Sequence, residues 1–217
     1  MIAIVDYEAG NIRSLENAFA WLGVPARLVS EPGELEVARA VVVPGVGAAG
    51  RAMGALRRRG LDGAVRAAID RGVPYLGICL GMQLLFERSA EDGVLCLGVL
   101  QGLVRPLEGP VKVPHTGWNT VDLLGSHPVL DGLHGQAAYF VHSYVAEPLE
   151  TAIVAGTTTH GRPFASAVAK DGVVGVQFHP ERSGGVGLAL LERFARFAGE
   201  AVAGGSPLAL EARHPLS

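Results

Sequence analysis

The sequence contains 217 residues, of which 49% are hydrophobic and 18% charged, and its formal net charge is −3. This composition supplies a core for one large domain or two small ones and excludes global disorder. The sequence lacks the excess of basic residues that would indicate a nucleic acid partner. It also has no stretch approaching the roughly 18 consecutive apolar residues of a membrane span. Cys79 and Cys96 are too few for a disulfide framework, and the first residues lack a signal-peptide pattern. We therefore expect a cytoplasmic protein that binds neither nucleic acid nor membrane.

Short apolar runs alternate with helical patterns in the first part of the chain. Between the runs, apolar residues recur every three or four positions. Alternating strands and helices are typical of a parallel sheet with helices on both faces, whose reactive groups gather at the carboxyl ends of the strands. We predict strands at residues 2–5, 26–29, 40–43 and 73–77, and helices at residues 12–22, 48–59, 61–71 and 82–87.

The second half is richer in turn signals, such as Lys170-Asp171-Gly172. Its short apolar runs indicate antiparallel strands beside the parallel sheet. The predicted fold class is therefore α/β, with a mostly parallel central sheet, helices on both faces and flanking antiparallel strands. We predict strands at 103–105, 120–122, 138–141, 152–155, 165–169 and 173–176, a last helix at 184–198, one domain over 1–198 and a loosely ordered tail over 199–217.

Residues 73–83 carry the strongest signal for chemistry. An apolar strand ends at Gly77, and Cys79 and Gly81 follow at the spacing of a nucleophile elbow, with cysteine in place of serine. Crowding explains the glycines, because a sharp strand-to-helix turn strains the backbone and excludes side chains two residues to either side. Such a turn directs the thiol at a helix N-terminus, whose free N–H groups favour a thiolate and a developing oxyanion. A buried structural cysteine is the alternative interpretation.

A cysteine nucleophile needs a base, and the base needs a group that orients it. His179 follows the buried run 173–178 and precedes Pro180 and Glu181. We therefore expect His179 at a strand end, with Glu181 close enough to orient its imidazole. We assign structural or surface positions to four other histidines, His127, His134, His160 and His214.

An oxyanion needs two N–H donors. The first candidate is the backbone N–H of Leu80, directly after the nucleophile. The second must come from another loop at the same edge of the sheet. Pro44-Gly45-Val46-Gly47 is the best candidate, because its glycines allow close backbone approach. An ordinary turn is the alternative interpretation of this loop.

Three stretches together resemble a known family. Residues 77–83, Gly-Ile-Cys-Leu-Gly-Met-Gln, lie between the 44–47 loop and residues 177–181, Gln-Phe-His-Pro-Glu. This combination is similar to the class I (triad) glutamine amidotransferases.

Further stretches resemble one group within that class, the glutaminase subunits of imidazole glycerol phosphate synthase. They are residues 114–119 (Pro-His-Thr-Gly-Trp-Asn), residues 139–144 (Tyr-Phe-Val-His-Ser-Tyr) and the start of the chain from Asp6 to Ile12. The resemblance covers about residues 1–198. It departs at Thr116 and Arg182, where Met and Lys are more usual.

The resemblance implies a mechanism and a set of site residues. Cys79 would attack the side-chain amide carbon of glutamine, His179 would protonate the leaving ammonia, and Glu181 would orient His179. Water would then hydrolyse the thioester to release glutamate. The resemblance places the oxyanion donors at Leu80, Val46 and Gly47, and the groups that hold glutamine at Gln83, Glu91, Ser143 and Tyr144.

The resemblance also implies a partner. In the family, the glutaminase docks on a barrel-shaped cyclase subunit of imidazole glycerol phosphate synthase to form a heterodimer, and ammonia passes between the subunits. The positions expected at that face are Asn11, Ser14, Trp118, Tyr139 and Arg182, of which Tyr139 and Arg182 are candidates for gating the ammonia route. For Trp118 a partly buried core position is the alternative.

Three alternatives stay open. They are the glutaminase subunit of a different synthase, a stand-alone cysteine hydrolase of γ-glutamyl compounds, and a non-catalytic regulatory subunit. If Cys79 is alkylated much faster than Cys96, the chain is a catalytic subunit and the non-catalytic alternative is excluded. We expect no cofactor, since the sequence shows neither metal-ligand spacing nor a phosphate-binding loop.

Overall fold

A computed structural model describes residues 1–8, 12–200 and 202. Strands and helices alternate in its first half, and strands dominate the second half until the last helix. The elements are β1 Ile2–Val5, α1 Ile12–Trp21, β2 Ala26–Val29, β3 Ala40–Val43, α2 Ala49–Arg58, α3 Leu61–Asp70, β4 Tyr75–Ile78, α4 Leu80–Gln83, β5 Arg88–Ser89, β6 Val94–Leu95, β7 Gly102–Pro106, β8 His115–Leu123, β9 Gln136–His142, β10 Tyr144–Pro148, β11 Val154–His160, β12 Arg162–Lys170, β13 Val173–Val176 and α5 Gly184–Phe197.

A parallel half and a mostly antiparallel half make up the sheet, and at the far edge of the second half β5 runs parallel to β7 and pairs with β6. Strands β2, β1, β3, β4 and β13 lie side by side in that order and are all parallel. Strand β12 then pairs with β13 in the antiparallel direction and leads to β10 and β7. Strands β11, β8 and β9 form an antiparallel branch from β12. The predicted α/β fold with flanking antiparallel strands is confirmed.

Two hydrophobic cores cover the two faces of the parallel strands. Successive side chains of a strand point to opposite faces. In β1, Ile2 and Ile4 pack in one core with α1 and α5, whereas Ala3 and Val5 pack in the other core with α2 and α3. Every residue of β1 is buried, as expected for a strand covered on both faces.

The carboxyl ends of the parallel strands bring the predicted reactive segments together. Strand β4 lies between β3 and β13, and its Ile78 pairs with Val176 of β13. The residues that follow these strands therefore emerge at one edge of the sheet. They are the 44–47 loop after β3, Cys79 after β4, and residues 177–181 after β13.

The turn after β4 has the strained geometry of an elbow. Cys79 has φ 53° and ψ −105°, outside the conformations that L-residues favour. A Cβ atom on Gly77 would lie 2.6 Å from the carbonyl oxygen of Gly81, and a Cβ atom on Gly81 would overlap the carbonyl oxygen of Val43. Both glycines are therefore required by backbone contacts, as the sequence predicts.

Three predicted elements differ most in extent. Strand β8, predicted at 120–122, spans His115–Leu123. The helix after the elbow is a single turn at Leu80–Gln83 and does not cover 82–87. Residues 84–86 are consecutive and completely buried, an arrangement that one face of a helix cannot provide. The strand predicted at 152–155 begins only at Val154 and runs to His160, because residues 151–153 form a 3₁₀ turn.

Three strands escaped the sequence patterns: β5, β6 and β10. The first two have only two residues each, too few to show any period.

The predicted loosely ordered tail is not tested, because residues 201 and 203–217 lie outside the described part of the chain. None of the helices in the described residues has the length and apolar character of a membrane span.

The close approach of α4 to β3 should make Gly81 essential for stability. We expect Gly81→Ala to lower the free energy of unfolding by roughly 3 kcal/mol, since a new methyl group must displace the Val43 carbonyl. Gly63→Ala is the control, because Gly63 lies in α3 with open space around it and should gain about 0.5 kcal/mol. Urea unfolding followed by circular dichroism measures both, and equal midpoints for Gly81→Ala and the wild type would contradict the expectation.

Candidate active site

His179 and Glu181 form a buried pair beside Cys79. His179 Nδ1 lies 2.9 Å from Glu181 Oε1, and the side chains are only 3% and 6% exposed. Pro180 begins a 3₁₀ turn at Pro180–Arg182, which brings the carboxylate back to the imidazole. His179 Nε2 is buried and has no partner at hydrogen-bond geometry among the described residues. The Nε2 atom is therefore available for proton transfer.

The charge state of His179 follows from its neighbours. Burial by itself lowers the pKa of His179, but the Cys79 sulfur and the Glu181 carboxylate stabilise the imidazolium and together raise this pKa to about 10. The imidazole is therefore protonated at neutral pH. A protonated imidazole beside a cysteine favours the thiolate form of that cysteine.

The cysteine sulfur has two further neighbours. Gln177 Nε2 donates to Cys79 Sγ over 3.5 Å, and the Sγ atom lies 3.8 Å from the Val141 carbonyl oxygen. Gln177 is completely buried, and its Oε1 accepts a hydrogen bond of 3.0 Å from Gln83 Nε2. The sequence pattern alone predicted no separate role for Gln177, although its position directly after β13 and two residues before His179 was a usable signal.

The predicted oxyanion loop packs directly on the elbow. The Leu80 N–H donates to the Gly45 carbonyl oxygen over 3.4 Å, so this donor already has a partner. Tyr7, two residues after β1, donates its hydroxyl hydrogen to the Pro44 carbonyl over 2.7 Å. Burial raises the pKa of Tyr7, which keeps this hydroxyl a donor. The loop is therefore held from both sides, and Tyr7 is a residue that the sequence analysis missed.

A cavity of about 390 Å³ opens beside the sulfur. Its wall contains every residue predicted for the oxyanion and for glutamine, together with Cys79. A few further positions, including Ala48, Pro114 and His142, complete it. The predicted residues in the wall are Leu80, Val46, Gly47, Gln83, Glu91, Ser143 and Tyr144.

Glu91 and Gln83 are anchored in this wall. Glu91 Oε2 accepts the Ala49 N–H over 2.8 Å, at the first residue of α2. Gln83 Nε2 donates to the Tyr144 carbonyl over 2.9 Å in addition to Gln177. Both hydrogens of the Gln83 amide nitrogen are thus engaged, and its oxygen is the atom left to accept from a ligand. The cavity therefore offers a carboxylate and an amide oxygen to a cationic group.

A histidine network holds His142, which lines the same cavity. His142 Nδ1 lies 2.9 Å from the Tyr144 carbonyl, which can only accept, so Nδ1 carries the proton and His142 Nε2 accepts from His115 Nδ1 over 2.9 Å. Asn119 Nδ2 then lies 3.1 Å from His115 Nε2. Burial and the neighbouring histidines lower the pKa of His115 to about 4 and that of His142 to about 3. Both rings are neutral, and the sequence analysis assigned neither of them a function.

The other histidines make local contacts. His127 and His134 accept backbone N–H groups, and His160 contacts the Lys112 carbonyl and stacks on the His115 ring at 4.2 Å. His214 lies outside the described residues. In the part of the chain that the structure covers, no group of three or more His, Cys, Asp and Glu side chains is arranged to hold a metal ion.

Three of the predicted partner-face residues form one cluster at the surface, in which Trp118 and Arg182 are exposed and Tyr139 is half-buried. The Trp118 and Tyr139 rings meet edge to face at 6.1 Å, and the Arg182 guanidinium lies 4.3 Å from the Tyr139 ring centroid. Trp118 is 59% exposed, so it is not a core residue. Ser14 lies on α1, which packs against the turn that carries Arg182. Asn11 is outside the described residues.

With this geometry in view, comparison with protein families identifies the class. The family described as glutamine amidotransferase class-I matches residues 3–196, and the chain belongs to that family.

Curated relatives narrow the comparison. The imidazole glycerol phosphate synthase subunit HisH of Dehalococcoides mccartyi is 44% identical over 200 residues, which cover 91% of this chain and 98% of the relative. The subunit of the same name from Moorella thermoacetica is 45% identical over 205 residues, 92% of this chain and 98% of the relative. The resemblance found in the sequence is confirmed for the class and for this group within it.

Solved structures agree on the fold. A chain in the structure of PurLQS from Thermotoga maritima has a TM-score of 0.73 at 18% identity, covering 90% of this chain and 97% of that one. The crystal structure of a glutamine amidotransferase has a TM-score of 0.71 at 23% identity, and the match covers 92% of this chain and 100% of that chain. At these identities the likeness concerns the fold alone.

The two cysteines should differ in reactivity. We expect iodoacetamide at neutral pH to label Cys79 at least about 10-fold faster than Cys96, because burial raises the pKa of Cys96 to about 11 while an imidazolium faces Cys79. Glu181→Gln should slow the labelling of Cys79, since losing the carboxylate lowers the pKa of His179 and with it the imidazolium population. Glu150→Gln, which removes only the surface ion pair with Lys170, is the control. Mass spectrometry of the labelled peptides measures the rates, and equal rates for both cysteines would refute this assignment.

Proposed function

We propose that this protein hydrolyses glutamine to glutamate and ammonia through a cysteinyl thioester and delivers the ammonia to the cyclase that makes imidazole glycerol phosphate in histidine biosynthesis. The observation that carries the proposal is the buried His179–Glu181 pair facing a cysteine on a strained elbow at the end of a cavity. The relatives named as synthase subunits over nearly their whole length support the same function.

Each residue of the triad has one task. The Cys79 thiolate attacks the side-chain amide carbon of glutamine, and a new C–S bond forms. His179 gives its Nε2 proton to the nitrogen, the C–N bond breaks, and ammonia leaves. Water then attacks the thioester carbon, His179 takes its proton, and the electron pair of the C–S bond returns to sulfur as glutamate departs. Glu181 holds the imidazole ring and its charge through the 2.9 Å contact with Nδ1.

The negative oxygen of both tetrahedral intermediates needs donors, for which we propose the N–H groups of Leu80 and of Val46 or Gly47. The Leu80 N–H is bonded to the Gly45 carbonyl, so that carbonyl must turn away before an oxyanion can take its place. Gly45 and Gly47 flank the peptide bonds that would rotate, and Gly47 already has φ +94°. A partner that contacts the exposed side chain of Val46 is well placed to drive this rotation.

Glutamine recognition is divided by charge. We propose that Glu91 and the Gln83 amide oxygen hold the α-ammonium group, since both are acceptors in the cavity wall. The substrate carboxylate then faces Ser143 and Tyr144, where backbone N–H and hydroxyl groups are the donors. The fixed position of Glu91 on the N-terminus of α2 keeps the ammonium end of the substrate in one place.

The partner is the cyclase subunit, in a heterodimer without nucleic acid or membrane. We place the contact at the cluster of Trp118, Tyr139 and Arg182, with Asn11 and Ser14 beside it, and propose that Tyr139 and Arg182 gate the ammonia route. Exposed aromatic and arginine side chains are the residue types that dominate interface energetics.

Two further assignments belong to this proposal. The catalytic domain spans residues 1–198, which agrees with the end of α5 at Phe197 and with the family match to residue 196. The location is the cytoplasm, because a reducing compartment preserves a nucleophilic thiol, and both cysteines are free.

Glutamate production from glutamine tests the function. We expect low activity from the purified chain alone and a rise of about 100-fold with the cyclase and its nucleotide ligand, because one oxyanion donor is worth that much. Cys79→Ala is the blank. Full activity alone that the cyclase leaves unchanged would instead favour a stand-alone γ-glutamyl hydrolase or a different synthase.

The partner face can be tested with the two tryptophans of the chain. Trp118→Ala should weaken binding of the cyclase about 30-fold, as expected for an aromatic hot spot. Trp21→Ala is the matched control, because Trp21 is 49% exposed but lies at the far end of α1. Calorimetry gives both dissociation constants, and similar losses of affinity for the two variants would exclude this face as the binding site.

The proposed gate can be tested in the same complex. If Arg182 gates the ammonia route, Arg182→Ala should lower the fraction of ammonia that the cyclase captures.

A further inference from the structure

We propose that Gln177 is a fourth member of the catalytic machinery, whose side-chain amide holds the Cys79 thiolate and couples it to the glutamine-binding wall of the cavity. The inference rests on the proposed function in taking Cys79 as the nucleophile and the cavity as the glutamine site. Gln177 contacts the reacting sulfur atom itself, at 3.5 Å from Nε2 to Sγ.

The direction of this hydrogen bond follows from its neighbours. The Tyr144 backbone carbonyl can only accept, so the Gln83 group 2.9 Å from it is the amide nitrogen. The same nitrogen lies 3.0 Å from the Gln177 side chain, which must therefore present its oxygen to Gln83. The remaining end of Gln177 is its NH₂ group, and it faces the sulfur. Gln177 thus reaches Cys79 as a donor and cannot reverse without losing two hydrogen bonds.

Burial makes this donor effective. Gln177 is completely shielded from solvent and Cys79 is 5% exposed, so little water competes for the sulfur. A hydrogen bond to an ion in such a medium is stronger than one between neutral groups. The imidazolium of His179 supplies charge, and the amide supplies a fixed donor that restricts where the sulfur can point.

The donor acts mainly when sulfur carries the negative charge. The Gln177 amide stabilises the thiolate before glutamine is attacked. It stabilises the thiolate a second time when the C–S bond of the thioester breaks and the electron pair returns to Sγ. In the thioester the sulfur is a poorer acceptor, so the hydrogen bond favours deacylation. Removing the donor should therefore both lower the thiolate population and slow the hydrolysis of the thioester.

Gln83 links this donor to substrate binding. Its amide nitrogen contacts Tyr144 in the cavity wall and Gln177 beneath the sulfur, while its oxygen is left for the substrate. A ligand that hydrogen-bonds the Gln83 oxygen polarises the same amide group and strengthens its bond to Gln177. Binding of glutamine and orientation of the nucleophile are then parts of one hydrogen-bonded chain.

The test uses the pH profile of Cys79 alkylation by iodoacetamide in the full-length chain. Gln177→Glu keeps the shape but places a carboxylate against the sulfur, and Gln177→Met keeps the length without a donor. We expect the midpoint of the profile to rise by about one pH unit or more in Gln177→Glu and to rise by less in Gln177→Met. Ser166→Ala is the control. Ser166 is buried on the neighbouring strand β12, and its backbone carbonyl accepts the backbone N–H of Gln177, which the substitution leaves in place. Its hydroxyl has no partner among the described residues, so its loss should not affect the sulfur.

A second readout separates catalysis from structure. In the complex with the cyclase, Gln177→Met should accumulate the glutamyl thioester, seen by mass spectrometry of the acid-quenched protein, with kcat reduced more than KM is raised. Unchanged alkylation profiles in two folded variants would overturn the proposal, and so would a profile that moves equally in Ser166→Ala. If circular dichroism shows that one variant does not fold, the other variant decides alone. If neither folds, Gln83→Leu takes their place, because it removes the hydrogen bond to the Gln177 oxygen. An unchanged alkylation profile in Gln83→Leu would then overturn the proposal.

The alkylation assay contains no glutamine, so it stands apart from the proposed function. Glutamine hydrolysis that persists in Cys79→Ala would refute the proposed function, whatever the alkylation profiles show. Normal hydrolysis that is lost in Cys79→Ala, together with unchanged alkylation profiles, would refute the role of Gln177 alone.

Discussion

The parallel pairing of β4 with β13 is the constraint on which the site depends. These strands lie far apart in the sequence, yet the register that pairs Ile78 with Val176 makes both end at the same level. Cys79 leaves one strand and Gln177 the other, and His179 follows two residues later. Parallel strands carry their carboxyl ends to a common edge, so a nucleophile and its base meet there without a long loop. The surrounding helices bury both strands, and this burial gives the charges at the edge their strength.

The elbow converts backbone strain into a chemical position. Cys79 is held at positive φ because β4 and α4 continue on either side of it, and both flanking glycines contact backbone atoms. The same crowding brings the Gly45 carbonyl onto the Leu80 N–H. One local geometry thus presents the sulfur and at the same time occupies the Leu80 N–H, which is the proposed oxyanion donor. In the proposed function this N–H becomes free only when the partner docks, so that ammonia forms where the synthase uses it.

Much of the site was predictable because its residues sit in local patterns. The Gly-x-Cys-x-Gly spacing indicated the elbow, and the end of an apolar run before His179-Pro180-Glu181 indicated a strand tip. The wrong elements were those that tertiary packing decides. Residues 84–86 have a helical composition, but all three are needed in the core, and so the helix ends after one turn. Residues 156–160 contain a glycine and show no apolar alternation, so the predicted strand stopped at 155; pairing with β8 and β12 extends it to His160.

The sequence by itself determined the α/β class, and it predicted Cys79 as nucleophile, His179 as its base and the loops that surround them, because strand ends, turn glycines and residue chemistry are all local properties. Only the tertiary structure decided the hydrogen-bond state of the Leu80 amide, the attachment of Tyr7 to Pro44, the histidine network of His115 and His142, and the contact of Gln177 with the sulfur. Each of these joins residues that are distant in sequence or that belong to different strands. A hydrogen bond of this kind depends on register and on side-chain direction across the sheet, and no spacing along a single chain segment encodes either of them.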